Sequence, residues 1–302
     1  MAETQNATRP VAGVLWMLVT GVCFVAVTAL VKYLGSRVPA PEAAFLRYVL
    51  GLVFLLPMLR PILRERLSRR QWGLFGLRGV VHSMGVALWF YAMTQIPIAE
   101  VTAMNYLSPV YVTIGAALFL GETMHLRRIL AVVAALVGAL IILRPGFREV
   151  NDGHLAMLAT AVVFAVSYLV AKVMSDETSP AVVVGMLSVT VTIGLAPMAW
   201  SVWVTPTFGE LVILFGVALF ATAGHYTMSM AFQAAPVSVT QPVSFLQLVW
   251  AVLLGFFVFD ETLDVWVMVG GGVIISAVSF ITWREAVLKR RGVTPQVNAT
   301  KV

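Results

Sequence analysis

Residues 95–112 read QIPIAEVTAMNYLSPVYV, an apolar stretch that holds a Glu and an Asn-Tyr pair between two prolines. This stretch belongs to a unit that occurs twice in the chain. A shift of 139 residues aligns, without a gap, Gly85 with Gly224, Ala92 with Ala231, Pro97 with Pro236, Leu107 with Leu246, Val110 with Val249 and Glu122-Thr123 with Glu261-Thr262. A shift of 140 residues aligns Phe24 with Phe164 and Lys32 with Lys172. We therefore predict an internal repeat.

The composition places both copies in a membrane. Of the 302 residues, 60% are hydrophobic and 11% are charged, whereas soluble domains carry about 25% charged residues. A chain of this length cannot hide so much apolar surface from water, so we expect the lipid bilayer as a partner. The single cysteine, Cys23, excludes a disulfide framework.

Apolar stretches with short breaks predict an all-α integral membrane protein with ten transmembrane helices. The predicted spans are 11–34, 42–60, 72–94, 97–120, 127–144, 153–173, 180–203, 209–232, 235–259 and 264–283. The first repeat is predicted at 11–144 and the second at 153–283, with an N-terminal tail at 1–10 and a basic tail at 284–302.

The basic residues predict the orientation, because short cytoplasmic loops are enriched in Lys and Arg. An even number of spans places both termini on one side. If that side is the cytoplasm, the inner segments hold Arg9, Arg60, Arg64, Arg66, Arg69, Arg70, Arg127, Arg128, Lys172, Arg284, Lys289, Arg290, Arg291 and Lys301. The outer loops then hold Lys32, Arg37, Arg144 and Arg148. We predict a multi-pass protein of the cell inner membrane with cytoplasmic N- and C-termini.

Five spans per copy is an odd number, so the second copy is inverted relative to the first. Two inverted five-helix repeats are typical of secondary transporters, in which the substrate site lies near the midplane where the repeats meet. The net charge of +6 lies in loops, and no basic face with interleaved aromatic residues is present, so no nucleic-acid partner is expected.

Three segments carry a family resemblance: WFYAMTQIPIAEVTAMNYLSPVYVTIGAALFLGE (89–122), AFQAAPVSVTQPVSFLQLVWAVLLGFFVFDE (231–261) and FLRYVLG (45–51). With the two five-span repeats, the chain resembles the drug/metabolite transporter superfamily and, within it, the EamA family, over residues 11–283. The resemblance implies alternating-access transport of a small organic solute. It also implies a central cavity lined mainly by spans 1, 3, 4, 6, 8 and 9.

Several motifs are absent from the sequence. There is no GxxxxGK[ST] for ATP, no HExxH or Cys/His cluster for a metal, and no nucleophile elbow. We therefore predict a protein that is not an enzyme and needs no cofactor or metal. A membrane enzyme acting on lipid and a non-transporting membrane partner remain the alternatives from other classes.

Ionisable residues within spans are candidates for function, because their burial in lipid is costly. Arg47 and Glu100 are predicted at similar depth. Three roles are open for them: the two residues form a structural ion pair, or Arg47 holds a carboxylate or phosphate of the solute, or Glu100 carries a coupling proton.

Arg78 and His82 are spaced i and i+4, so they share one face of the third span. Arg78 either extends to the membrane interface or contacts solute. His82, near mid-depth, is either a satisfied core residue or a group that bonds solute or takes up a proton.

Amides, hydroxyls, imidazoles and rings from several spans complete the candidate substrate site. They are Asn105, Tyr106, His225, Tyr226, Gln241, Gln247 and Trp250. Such groups orient a ligand between apolar walls, or they form interhelical hydrogen bonds. The run Gly270–Gly272 predicts close helix packing, and it makes a homodimer a candidate assembly.

Within the predicted spans, Arg47 and Arg78 outnumber Glu100, which favours an amino acid or a similar zwitterionic or anionic solute. A flat vitamin such as riboflavin also fits the aromatic and amide residues and is the alternative substrate. The sequence leaves both substrate classes open.

We predict that His82→Ala and Tyr106→Ala each impair transport without preventing membrane insertion, because both residues are expected at the midplane. Uptake assays in cells with matched expression check this. Uptake equal to that of the wild type would remove the residue from the site.

Overall fold

A computed structural model describes residues 10–58, 64–119, 126–147, 149–175, 177–178, 180–235, 240 and 243–293. Within these ranges the regular elements are helices, and no strand is present. The helices are α1 Pro10–Leu34, α2 Ala40–Gly51, α3 Arg69–Gln95, α4 Ile98–Asn105, α5 Leu107–Phe119, α6 Leu126–Leu143, α7 Asp152–Ser175, α8 Pro180–Ser201, α9 Phe208–Ala234, α10 Leu246–Phe259 and α11 Val265–Val293.

The prediction of an all-α, multi-pass membrane protein is confirmed, and the predicted number of ten spans is supported only in part. Within the described ranges, eight helical segments are long and apolar enough to cross a bilayer, and the shorter α10 is also apolar. The predicted second span, 42–60, instead contains α2 followed by a 3-10 helix at Leu52–Met58. Pro57 lies in this segment, and proline lacks the N–H that would continue α-helical bonding.

The stretch at 95–112 forms two helices rather than one. Pro97 begins α4, and a turn at Tyr106 separates α4 from α5. Pro109 explains this position, because its ring removes the hydrogen bond to the carbonyl of Asn105, four residues earlier. The second copy turns at the equivalent residue, Phe245, before α10 begins.

Each copy packs its first helix against the third helix of the other copy. The most extensive packing joins α1 to α9 and α3 to α7. Since α7 is the equivalent of α1 and α9 the equivalent of α3, swapping the copies converts one contact into the other. The contact between α6 and α11 joins the last helices of the two copies, so swapping the copies leaves it unchanged. This pattern is the one expected for inverted repeats.

Aligned residues make the two equivalent contacts. A Cβ added to Gly85 on α3 would lie 2.6 Å from the ring of Phe164 on α7. A Cβ added to Gly224 on α9 would lie 3.3 Å from the ring of Phe24 on α1. The residues that the repeat aligns therefore make the same glycine–phenylalanine contact in both interfaces.

Ion pairs join elements at both ends of the bundle. At the end that we call the Lys32 end, where α1 ends and α7 begins, Lys32 pairs with Glu261 and Arg144 with Asp264. At the opposite Arg70 end, Arg70 pairs with Glu177 at 2.5 Å. The hydrogen bond from Arg70 holds the pKa of the Glu177 carboxyl below its usual value.

The glycine run of the last helix packs within the chain. Gly138 on α6 and Gly270 on α11 face each other, and a Cβ on Gly270 would lie 2.5 Å from the carbonyl oxygen of Gly138. Gly271 lies against Leu248, whereas a Cβ on Gly272 would meet nothing within 4 Å. The predicted close packing is thus between α6 and α11.

We predict that Gly270→Ala lowers the free energy of unfolding by about 1–3 kcal/mol, because the new methyl group overlaps a backbone oxygen that cannot rotate away. Thermal unfolding in detergent measures this as a lower Tm. Gly272→Ala, on the same helix, is the matched control and should keep or raise Tm, since alanine favours helix over glycine. Equal losses in the two variants would contradict the packing.

Candidate functional site

Four basic side chains from three helices lie near one another between the repeats. We call Arg47 of α2, Arg78 and His82 of α3, and His225 of α9 the central cluster. The charges of Arg47, Arg78 and His225 are close enough to His82 to interact with it electrostatically, and His225 interacts in the same way with both arginines. The structure therefore adds Arg47 and His225 to the pair Arg78 and His82, which the sequence already placed on one helix face.

Arg78 is buried rather than extended to the membrane interface. Its residue surface is 6% exposed, and its Nη1 donates a hydrogen bond of 3.0 Å to the backbone oxygen of Val183 on α8. Its buried Nε has no partner within the described residues. A guanidinium held on one side and unsatisfied on another is suited to bind an acceptor.

His82 forms part of an aromatic wall between α3 and α7. Its ring stacks on Phe164 with centroids 4.8 Å apart and an interplanar angle of 28°. The Nδ1 of His82 and the hydroxyl of Ser167 are 3.0 Å apart. These two contacts fix the plane of the imidazole.

Trp89 and Tyr168 extend this wall. Their ring centroids lie 6.4 Å and 6.0 Å from that of Phe164. Trp89 is half-buried, and its Nε1 is a buried donor without a partner in the described part of the chain. Trp89 thus packs against the aromatic residues between α3 and α7.

Asn105 and Tyr106 lie where the repeats meet. The hydroxyl of Tyr106 donates to the backbone oxygen of Ser244 at 3.2 Å, and its ring contacts Phe245 edge to face at 5.2 Å. Ser244 and Phe245 are the residues that the repeat aligns with Asn105 and Tyr106. Tyr106 therefore joins the two copies, and the Oδ1 of Asn105 is a buried acceptor without a partner within the described residues.

The ion pair predicted between Arg47 and Glu100 is not formed between these two described side chains. Arg47 lies over the ring of Tyr48, with 4.1 Å to the centroid. Glu100 instead meets His154, with 2.7 Å between Oε2 and Nε2. Similar depth did not bring the two charges together, because α2 packs against α8 and α9, whereas α4 packs against α7 and α10.

Two predicted residues face away from the central cluster. Tyr226 is 59% exposed and lies seven residues, or two helical turns, from exposed Leu219. Trp250 is 40% exposed and lies at the same spacing from exposed Phe257. Both side chains thus belong to apolar outer faces, where an aromatic ring meets lipid.

Gln247 and Gln241 contribute no observed site contact. Gln247 lies on α10 against Gly21 of α1, where a Cβ on the glycine would be 3.7 Å from that of Gln247. Gln241 lies outside the described residues.

Sequence reasoning missed Phe164 as a wall residue and His154 as the partner of Glu100. Phe164 was already aligned with Phe24, and a repeated aromatic residue at a helix contact was an available signal. His154 lies in the first turn of α7, at the same end of the bundle as Glu100. Among the described residues, no group of three or more His, Cys, Asp or Glu side chains could hold a metal ion.

Comparison with known proteins gives matches over nearly the whole chain. The model of the EamA-like transporter family matches residues 11–144 and 151–283. A riboflavin transporter of Vibrio cholerae serotype O1 is 30% identical over 289 residues, which are 94% of this chain and 97% of that protein. A riboflavin transporter of Rhizobium johnstonii is 29% identical, covering 96% of this chain and 98% of that protein.

Other similar proteins match a comparable share of the chain but carry different names. An S-adenosylmethionine uptake transporter of Rickettsia bellii is 27% identical, covering 90% of this chain and 94% of that protein. One solved crystal structure superposes with a TM-score of 0.59 at 16% identity, covering 94% of this chain and 99% of that chain. At that identity the likeness concerns the fold alone.

We predict that Tyr106→Phe keeps saturable uptake and lowers the free energy of unfolding by about 1 kcal/mol, because it loses one hydrogen bond and keeps the ring contact with Phe245. Tyr106→Ala loses both contacts and should destabilise the chain further. Tm in detergent and uptake in proteoliposomes separate the two effects. Lost uptake with unchanged Tm in Tyr106→Phe would instead make Tyr106 a solute contact.

Proposed function

The chain belongs to the EamA-like transporter family, and from that premise we propose that it carries riboflavin, or a closely related flat aromatic metabolite, across the bacterial inner membrane. The family and the relatives support a small-molecule membrane transporter and not an enzyme. The proposed mechanism is alternating access between the two inverted repeats, with ten spans and both termini in the cytoplasm.

The positive charge of the central cluster argues against a cationic solute. Arg47 and Arg78 contribute two guanidinium groups there. The carboxylates whose side chains the structure describes lie at helix ends or between helices instead, among them Glu42, Glu100 and Glu210 in first turns. A cation about 4 Å from one guanidinium would be repelled by about 4 kcal/mol at an effective dielectric constant near 20. A sulfonium or ammonium group beside these guanidinium groups is thus disfavoured, which places S-adenosylmethionine, with two cationic groups against one carboxylate, below a neutral solute.

The aromatic wall supports a flat solute. Tyr168 is 43% exposed and Trp89 is half-buried, so both rings keep surface on which a flat solute can stack, and this surface is the observation that carries the proposal. Phe164 is buried behind them. Aromatic pairs contribute about 0.5–1.5 kcal/mol beyond burial of area. The unsatisfied Nε1 of Trp89, Nε of Arg78 and Oδ1 of Asn105 offer two donors and one acceptor. The ring system of riboflavin carries carbonyl oxygens and a ring N–H, which such groups can bind while the rings stack.

An amino acid or another zwitterionic solute is the second candidate. Arg47 and Arg78 favour it, because a guanidinium binds a carboxylate in two parallel hydrogen bonds. It would leave the aromatic wall without a counterpart, and for that reason we place it second.

Proteoliposomes distinguish the candidates. We expect saturable uptake of radiolabelled riboflavin that excess unlabelled riboflavin abolishes and S-adenosylmethionine or amino acids do not. Saturable uptake of one of those competitors without riboflavin uptake would replace the proposed substrate. No saturable uptake of any solute in a broad panel would favour a non-transporting membrane partner.

We predict that Arg78→Gln raises the KM for riboflavin about 10- to 100-fold, because a hydrogen bond to a charged group contributes about 1.5–3 kcal/mol. Arg69→Gln is the matched control, since Arg69 is an exposed arginine on the same helix. Initial uptake rates at varied riboflavin concentration give both values. An unchanged KM in Arg78→Gln would remove the central cluster from the substrate site.

A further inference from the structure

We propose that Glu100 and His154 form a proton-binding site that couples solute movement to a proton gradient, which rests on the proposed transport function. The Oε2 of Glu100 and the Nε2 of His154 are 2.7 Å apart, and both residues are 3% exposed. Glu100 belongs to α4 of the first repeat and His154 to α7 of the second. Buried carboxylate and imidazole groups within membrane spans are a common arrangement for proton relays.

The hydrogen bonds around His154 define which atom takes the proton. The backbone N–H of Asn151 donates to Nδ1 of His154 at 3.2 Å. Nδ1 is then an acceptor, so Nε2 carries the imidazole hydrogen and donates it to Glu100. The imidazole is neutral and the carboxylate is negative in this arrangement. An incoming proton therefore binds a carboxylate oxygen of Glu100.

A cavity connects this pair to the Lys32 end. It has a volume of 380 Å³ and is lined by both residues together with exposed Glu149 and exposed Leu263. Hydronium ions in the water of this cavity can deliver a proton to Glu100 and leave water behind. In the proposed cycle the carboxyl ionises again after the repeats have moved, and the proton returns to water, so no further reactant is required.

The charged groups around the pair come from all the neighbouring elements. Those in the described residues are Asp152 of α7, Glu149 before α7, Glu261 and Asp264 between α10 and α11, Lys32 of α1 and Arg144 after α6. Lys32 is paired with Glu261 and Arg144 with Asp264. Arg148, beside Glu149 in the sequence, lies outside the described residues. The carboxylates outnumber the cations among these described groups and concentrate protons in the cavity.

Protonation of Glu100 also changes the contact between the repeats at α4 and α7. A hydrogen bond to a carboxylate is roughly twice as strong as one between neutral groups. When Glu100 is protonated, its bond to His154 becomes neutral, and the contact between α4 and α7 weakens. Proton binding at one end of the bundle thereby eases the movement of one repeat against the other.

Two assays on reconstituted protein test this proposal. The first is riboflavin exchange without any gradient, which measures transport alone. The second is riboflavin accumulation under an inward pH gradient with the membrane potential clamped at zero. For one proton per solute, we expect about tenfold accumulation for each pH unit, because one unit corresponds to about 1.36 kcal/mol.

Glu100→Gln should keep exchange and lose accumulation, because glutamine preserves the shape and binds no proton. Glu149→Gln is the matched control: it removes one charge from the same cavity, does not touch His154 and should still accumulate riboflavin. His154→Gln keeps the carboxyl and should shift the pH at which accumulation is half-maximal. Accumulation that persists in Glu100→Gln, or wild-type exchange without any accumulation, would overturn the proposal.

An infrared titration tests the proton site in the absence of any solute. Protonation of Glu100 should add a carboxylic acid C=O band to the pH difference spectrum of the purified wild type, and this band should be missing from Glu100→Gln. An identical spectrum in the two proteins would overturn the site. Absence of riboflavin exchange in the wild type would instead contradict the proposed function, and the infrared result would still decide the site.

Discussion

The crossed packing of equivalent helices is the constraint on which the rest of this structure depends. The first helix of each copy lies against the third helix of the other, through Gly224 on Phe24 and Gly85 on Phe164. Neither copy buries these faces alone, because each interface draws one helix from each repeat. The glycines allow close approach of the aromatic rings, and the rings in turn position the neighbouring side chains.

The candidate site follows from that packing. Phe164 fills the space above Gly85 and stacks on His82, which belongs to the same helix as Arg78. The chain thus gathers positive charge and aromatic surface between the repeats, and it keeps its described carboxylates near the ends of the helices. Glu261 is an example of a carboxylate near a helix end. It pairs with Lys32 and also accepts a hydrogen bond of 3.0 Å from the backbone N–H of Ile98.

Much of the fold could be predicted from the sequence, because an internal repeat and regularly spaced apolar spans are visible in the order of residues alone. The alignment of Gly85 with Gly224 anticipated the paired contacts, and the position of Tyr106 anticipated the meeting of the copies. The partners of Arg47 and Glu100 could not be predicted, since depth in a membrane is one coordinate and the neighbours of a helix depend on its rotation and place in the bundle. The same limit applies to Trp250, which lies on an apolar helix, as expected, but on its exposed face.

The central claim is that the two repeats move against each other and open the two ends of the bundle in turn. Spin labels on Cys23→Ala protein, in which no native cysteine remains, measure this directly. One pair, at Ser36 and Leu263, spans the Lys32 end, and a second pair, at Trp72 and Trp283, spans the Arg70 end. Addition of riboflavin should lengthen one distance and shorten the other in electron-electron resonance measurements. Two distances that stay constant, or that change in the same direction, would contradict alternating access.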